Sequence, residues 1–244
     1  MDRKILFTVL SIVAAAIAQP VAAAPVLINS GFELGFAGWT RIDAVGSEGT
    51  FLLQTGTTSP VTGLPVPPPP GGSTAAMTDA EGPGAHVLFQ DFLVPATVSG
   101  ATLMFDLFVG NRANAFFTPT TLAFDTPALN QQARVDILRA TADPFSVSAA
   151  DVLLNVFATT VGNPLISGYT THSSDIAALL SGHAGATLRL RFAETDNVNV
   201  FNFGVDNVSL DVTSPQLPEI PEPATLLLLA SGLGVTFAAR RRKM

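Results

Sequence analysis

The chain has 244 residues, 12 Lys and Arg against 19 Asp and Glu, a formal net charge of −7 and no cysteine. The lack of thiols excludes cysteine catalysis, thiolate metal sites, disulfides and c-type haem attachment. Between its two distinctive termini, residues 24–223 hold six cations, all arginine, and eighteen carboxylates, a formal charge of −12, which argues against nucleic acid and anionic membranes as partners, is compatible with divalent cations, and leaves no lysine for Schiff-base chemistry.

Residues 1–23 read as a secretory signal peptide. Arg3 and Lys4 form a positive n-region, Ile5 to Ala18 an apolar h-region, and Val21-Ala22-Ala23-Ala24 a small-residue cleavage region. Cleavage after Ala23 fits best, because cleavage after Ala24 would put Pro25 at the first mature position. Cleavage after Ala18 is an alternative. So is an uncleaved anchor, although the apolar run is shorter than a full span.

Residues 24–214 read as one domain of short β segments separated by Gly, Pro, Asn and Asp clusters, the pattern of an all-β antiparallel sandwich or barrel. Val26-Leu27-Ile28 is the first expected strand and Phe51-Leu52-Leu53 a short second one. Ser59 to Ser73 holds six prolines and cannot be a ladder, so Pro67 to Pro70 is expected to be an extended loop. Ala75-Ala76-Met77 and His86 to Leu93 follow, the latter with Val87 and Phe89 on one face and Leu88, Gln90 and Phe92 on the other. Ala101 to Val109 sets Leu103, Phe105, Leu107 and Val109 against Met104, Asp106 and Phe108. Arg134 to Arg139 is a further strand, and Val152 to Ala158 another, with a short helix from Ser148 as the alternative. Asp175 to Leu180 reads as one or two helical turns with Ser173 or Ser174 as N-cap. Thr187 to Ala193 alternates most cleanly. Phe203 to Val212 closes the domain, with Val205, Asn207, Ser209 and Asp211 opposite Asp206, Val208 and Leu210. Fifteen of the 17 phenylalanines lie in this body against one Trp and one Tyr, so most rings are expected in the core.

The two ends of the body carry a resemblance. Asn29-Ser30-Gly31-Phe32-Glu33 with Gly38-Trp39, and Gly204 to Leu210, resemble the opening and closing strands of galactose-binding-like jelly-roll domains. The resemblance implies a jelly-roll-like antiparallel β-sandwich. It also implies a structural Ca²⁺ shared by Glu33 and Asp206, oxygen ligands of the kind that ion prefers. The alternative is that Glu33 caps a turn and Asp206 bonds locally.

Trp39 is expected in the core. Tyr169 follows Gly168 and is expected at the surface, and one exposed aromatic makes a poor glycan platform. Glu194, Asp196, Asn197, Asn199 and Asn202 crowd one segment that reads as a solvated hairpin loop rather than a cation loop, since an EF-hand register is missing. His86, His172 and His183 have no ligand spacing among them, so zinc would need long-range convergence. Neither a Gly-x-Ser-x-Gly elbow nor a phosphate loop is present, and no catalytic residue is nominated.

Residues 215–223 form a linker ending in Pro221-Glu222-Pro223. An uncharged run of 16 residues, 224–239, follows, and then Arg240, Arg241, Arg242 and Lys243 in a basic tail of residues 240–244. The run would make about 24 Å of helix at roughly 1.5 Å per residue, short for a hydrocarbon core of about 30 Å. The cations behind it make it a membrane stop with the basic end cytoplasmic. A Pro-Glu-Pro motif, a short span and an arginine cluster together resemble the PEP-CTERM sorting signal. That resemblance implies recognition by an exosortase, transient tethering in the inner membrane, and a producer of extracellular polysaccharide, flocs or biofilm. A permanent single-span anchor is the alternative.

The combined expectation is a non-enzymatic exported protein, processed by signal peptidase and exosortase and placed at the cell surface or in the matrix. Its role would be structural or adhesive in an exopolysaccharide or biofilm setting. A calcium-stabilised carbohydrate-binding module and a secreted hydrolase are the competing readings.

Overall fold

The computed structural model describes residues 26–215. The signal peptide, the Pro-Glu-Pro motif, the apolar run and the basic tail lie outside the described residues. Among the described residues, no helix is long and apolar enough to cross a membrane.

Two five-stranded antiparallel sheets pack face to face. In chain order the strands among the described residues are β1 Thr40–Asp43, β2 Thr50–Gln54, β3 Ala75–Asp79, β4 Gly84–Leu93, β5 Gly100–Asn111, β6 Gln131–Arg139, β7 Val152–Ala158, β8 Thr170–Asp175, β9 Thr187–Asp196 and β10 Phe201–Thr213, and these residues also form a short helix, α1 Ala177–Ser181. One sheet has the order β1-β4-β9-β6-β7 and the other β2-β3-β10-β5-β8. Alternation explains the layers. Leu88 and Phe92 of β4, Leu188, Leu190 and Phe192 of β9, and Val135 and Ile137 of β6 face Leu103, Phe105, Leu107, Phe203 and Val205 across a single core.

Three expectations are corrected. Residues 26–28 are not a strand. Ile28 is instead held by a side chain, its N–H donating to Gln90 Oε1 at 2.8 Å while Gln90 Nε2 donates to its carbonyl at 3.1 Å, so one amide stands in for a ladder partner. Ser173 and Ser174 do not cap the helix; they belong to β8, and α1 starts at Ala177 with Asp175 Oδ1 accepting its N–H at 2.9 Å. The alternation expected for β10 breaks in the middle. Its register against β5 shifts between Asp206 and Ser209, and Asn207 has φ 50°. This bulge inserts a residue, so Val205, Val208 and Leu210 all reach the core.

Loops cover both outer faces. Over the second sheet, the proline-rich loop is fastened by Asp79, whose carboxylate accepts the N–H groups of Val61 and Thr62 at 2.6 and 2.8 Å, and by Gln54 Nε2, which donates to the Pro67 carbonyl at 2.7 Å. Over the first sheet, Arg191 Nη1 donates to the carbonyls of Pro144 and Ser146 at 2.7 Å each, and Arg189 donates to those of Ala140 and Ala142.

Candidate functional site

Glu33 and Asp206, far apart in the sequence, meet on the two sides of one loop. Glu33 follows a tight N-terminal turn in which Asn29 and Phe32 have φ 51° and 56°. Its Oε1 accepts the N–H groups of Ser73 and Thr74 at 2.8 and 2.9 Å, and its Oε2 accepts the Ser73 hydroxyl at 2.7 Å. Asp206 Oδ2 accepts the Gly71 N–H at 3.1 Å, and Oδ1 accepts the Asn207 N–H at 2.7 Å. Val208 N–H closes on the Ser30 carbonyl at 3.0 Å, joining the N-terminal segment to the last strand. Gly71 and Gly72 make this approach possible: a methyl on Gly71 would collide with the Asn207 amide, and one on Gly72 with the Glu33 carboxylate. The donors from Ser73 and Thr74 hold the Glu33 carboxyl down at about 2. Burial, with the charges of Asp106 and Glu33 adding to it, pushes Asp206 up to about 6 against the donors from Asn207 and Gly71. In this arrangement Glu33 caps the backbone at Ser73 and Thr74, and Asp206 bonds both to its neighbour Asn207 and across to Gly71.

Four arginines, Trp39 and Tyr169 are engaged within the fold. Arg189 pairs with Asp91 at 2.7 Å and lies 3.9 Å over the Phe89 ring. Arg134 and Arg191 share the fully buried Asp136, with N–O distances of 2.7 and 2.5 Å. Arg112 donates to the Pro65 carbonyl at 3.2 Å. Trp39 is buried, its ring centroid 5.3 Å from Phe32 and 6.0 Å from Phe192, as expected for a core residue. Tyr169 is not the exposed aromatic expected from its turn. It is half-buried against Phe108 and donates to Gln54 Oε1 at 2.7 Å.

An open cleft of about 330 Å³ lies beside the first sheet, lined by Val45, Phe124, Asp125, Asp143 and Phe145 among others. The two rings are partly exposed and the two carboxylates exposed, a combination of flat apolar surface and acceptors that suits a polyhydroxyl ligand. Periodicity does not show this site, because all four residues sit in loops.

The expected solvated loop at residues 194–202 is also corrected. β9 continues through Asp196 and β10 begins at Phe201, so Glu194, Asp196 and Asn202 are strand residues and buried. Only residues 197–200 connect them. Asn202 Nδ2 donates to Asp79 Oδ1 at 2.8 Å, and Asn199 Nδ2 to the Arg112 carbonyl at 3.0 Å. His86 comes together with Glu194 and Asp196, their ligand atoms within 4.8 Å of one another. Burial, reinforced by the neighbouring Asp196 charge, drives the Glu194 carboxyl well above the ordinary range. Burial likewise pushes Asp196 up to about 7, opposed by His86 and by the Gly84 N–H. The other two histidines are elsewhere: His172 packs on Phe105 and Phe157, and His183 Nδ1 meets the Leu179 carbonyl.

Residues 219–243 match the family model described as the PEP-CTERM protein-sorting motif. The chain carries a PEP-CTERM sorting signal. Its match spans the Pro-Glu-Pro motif, the apolar run and the arginine cluster read from the sequence. No curated protein matches the chain. Among solved structures, the chain is similar to TmCBM61 in complex with β-1,4-galactotriose, at TM-score 0.44 and 10% identity over 78% of this chain and 100% of that one. It is similar to the K3 cleaved adhesin domain of Lys-gingipain from Porphyromonas gingivalis W83, at TM-score 0.45 and 15% identity over 76% and 98%. A Stig cyclase, Fisc from Fischerella sp. TAU, aligns at TM-score 0.44 and 17% identity over 79% and 98%.

Proposed function

We propose that the protein is a non-enzymatic surface or extracellular-matrix component with a structural or adhesive role in an exopolysaccharide or biofilm setting. On this reading signal peptidase removes residues 1–23, residues 224–239 hold the exported sandwich in the inner membrane, and an exosortase cuts near Pro221-Glu222-Pro223 and frees it to the surface or medium. The motif at residues 219–243 carries this reading. It is supported by a body whose two sheet faces are roofed by fastened loops, a construction suited to durability outside the cell. The test is to express the full chain with an epitope after Met244 in a host with an exosortase and in the same host lacking it. The body is expected to reach the surface or medium without the epitope in the first and to remain membrane-bound with it in the second, and Glu222→Ala is expected to mimic the deletion. An epitope still attached to the body in exosortase-bearing cells, or a body left in the cytosol, overturns the reading.

The cleft at Phe124 and Phe145 favours a second reading, a carbohydrate-binding module stabilised by Ca²⁺ at Glu33 and Asp206. Sugar rings would lie on the aromatic faces, with Asp125 and Asp143 accepting their hydroxyl hydrogen bonds. A glycan array on the exported protein distinguishes the readings: binding lost in Phe124→Ala and Phe145→Ala supports the module, and an unresponsive array removes it. The Ca²⁺ component is tested by calorimetric titration. A heat signal and a higher Tm, both lost in Asp206→Asn, support it.

A further inference from the structure

The inner face of the first sheet ends in charge rather than hydrocarbon. Beyond Phe192, β9 places Glu194 and then Asp196 on the same face, two residues apart. The register puts Asp43, His86, Glu194 and Ala133 in one row across β1, β4, β9 and β6, with Gly84, Asp196 and Gln131 in the next. His86, Glu194 and Asp196 are 2%, 1% and 5% exposed. One ligand atom from each lies within 4.8 Å of the others. Two adjacent carboxylates removed from water are costly unless a cation or donors compensate them. Asp196 Oδ1 has the Gly84 N–H at 2.9 Å, whereas Glu194 Oε1 is buried with no hydrogen-bond partner.

The imidazole is oriented to supply a lone pair. His86 Nδ1 lies 2.8 Å from Asp43 Oδ1. A carboxylate accepts, so Nδ1 carries the proton and Nε2 the lone pair. This carboxylate–histidine arrangement also backs metal-bound imidazoles. Nε2 lies over Gly84, where a methyl group would collide with it, and the Glu48 carbonyl oxygen borders the same space, 2.9 Å from where that methyl would stand. Glycine at position 84 thus keeps the space beside Nε2 open. An open cavity of about 210 Å³ borders Asp196 between the turn of Glu81, Gly82 and Pro83 and the connection Asn197 to Val200.

We propose that His86 Nε2 and the carboxylates of Glu194 and Asp196 bind a divalent transition-metal cation of the Zn²⁺ class, oriented by Asp43, at the polar end of the sandwich. One nitrogen and two carboxylate donors form a borderline set that favours Zn²⁺ over Ca²⁺ or Mg²⁺. The cation neutralises the paired carboxylates and ties β4 to β9 where β9 leaves for the other sheet. The site is independent of Glu33 and Asp206 and of any glycan.

The test uses the exported protein, stripped with a chelator and titrated with ZnCl₂, with CaCl₂ as a comparison. One equivalent of Zn²⁺ is expected by elemental analysis, with Tm rising about 5–10 °C when free Zn²⁺ is a hundredfold above Kd. Glu194→Gln, which preserves side-chain shape, is expected to abolish both. Asp43→Asn is expected to weaken binding about 10- to 100-fold. Co²⁺ in place of Zn²⁺ should give a visible absorption band that His86→Gln removes, a readout independent of stability. Failure of the wild-type protein to bind stoichiometrically, or retention of Zn²⁺ and the Tm rise in a folded Glu194→Gln, overturns the proposal. So does a site that takes Ca²⁺ in preference to Zn²⁺.

Discussion

Two glutamates in this chain are treated in opposite ways. Glu33 lies at the surface and receives hydrogen bonds from the backbone and hydroxyl groups of Ser73 and Thr74. Glu194 lies between the sheets, and its Oε1 receives none. The donors draw the Glu33 carboxyl down to about 2, whereas burial drives that of Glu194 up. Supply of donors, more than depth alone, decides whether a carboxylate is comfortable. Glu33 is satisfied by the chain on both oxygens, whereas Glu194 keeps one buried oxygen without a donor.

Asp136 sharpens this comparison most, because it is as buried as Glu194 but satisfied. It takes both oxygens to Arg134 at 2.7 Å, one to Arg191 at 2.5 Å, and an amide hydrogen from Asn155 at 2.8 Å. Its removal strands the fully buried Arg191. Asp136→Ala is therefore expected to cost about 3–5 kcal/mol in urea denaturation, the largest effect predicted for a single substitution here. A cost below about 1 kcal/mol would show that Arg191 draws enough from the Pro144 and Ser146 carbonyls alone.

Much of this contrast was readable from sequence and some was not, for definite reasons. The strands carrying Leu88, Phe105, Val135, Leu190 and Phe203 were legible because apolar alternation survives wherever one face is core. The unread strands, β1 and β8, are both sheet edges. The latter, Thr-Thr-His-Ser-Ser-Asp, pairs on one side only and needs little apolar surface. Glu33 and Asp206 were brought together by resemblance, and the structure does join them through the loop of residues 71–74. The bulge at Asn207 was invisible because one inserted residue changes phase without changing composition. Glu194 and Asp196 were misread as loop because acidic residues and asparagines suggest turns. The available signal was their spacing of two in phase with Leu188, Leu190 and Phe192, which extends the strand and sets them opposite His86.

The loop that satisfies Glu33 provides the next test. Gly72 has φ 58°, and a methyl there would strike the Glu33 carboxylate. Gly72→Ala is expected to destabilise by about 1–3 kcal/mol through backbone strain alone. It should also release Glu33 from its donors, so an NMR titration of the Glu33 carboxyl should move from about 2 back towards 4.5. A strained variant whose Glu33 still titrates at about 2 would break the claim that the donors of this loop set its ionisation.

His172 lies between the two glutamates in kind, half-buried and only partly satisfied. Its ring is stacked 5.5 Å from Phe105 and edge-on 4.9 Å from Phe157, with Nε2 3.3 Å from the Thr170 hydroxyl. Burial lowers its pKa below 6.5, and the Asp106 charge opposes that shift without reversing it. The fold therefore favours the neutral ring, while the unfolded chain takes up a proton first as pH falls. This contribution to stability is complete above pH 6.5 and is lost as pH drops from there through the lower folded value. The expected observation is a shallow fall in Tm over that interval that His172→Leu flattens. This is the smallest of the predicted effects, and it depends on the aromatic contacts. A slope that persists in His172→Leu would assign the titration to another group and remove burial between these rings as its cause.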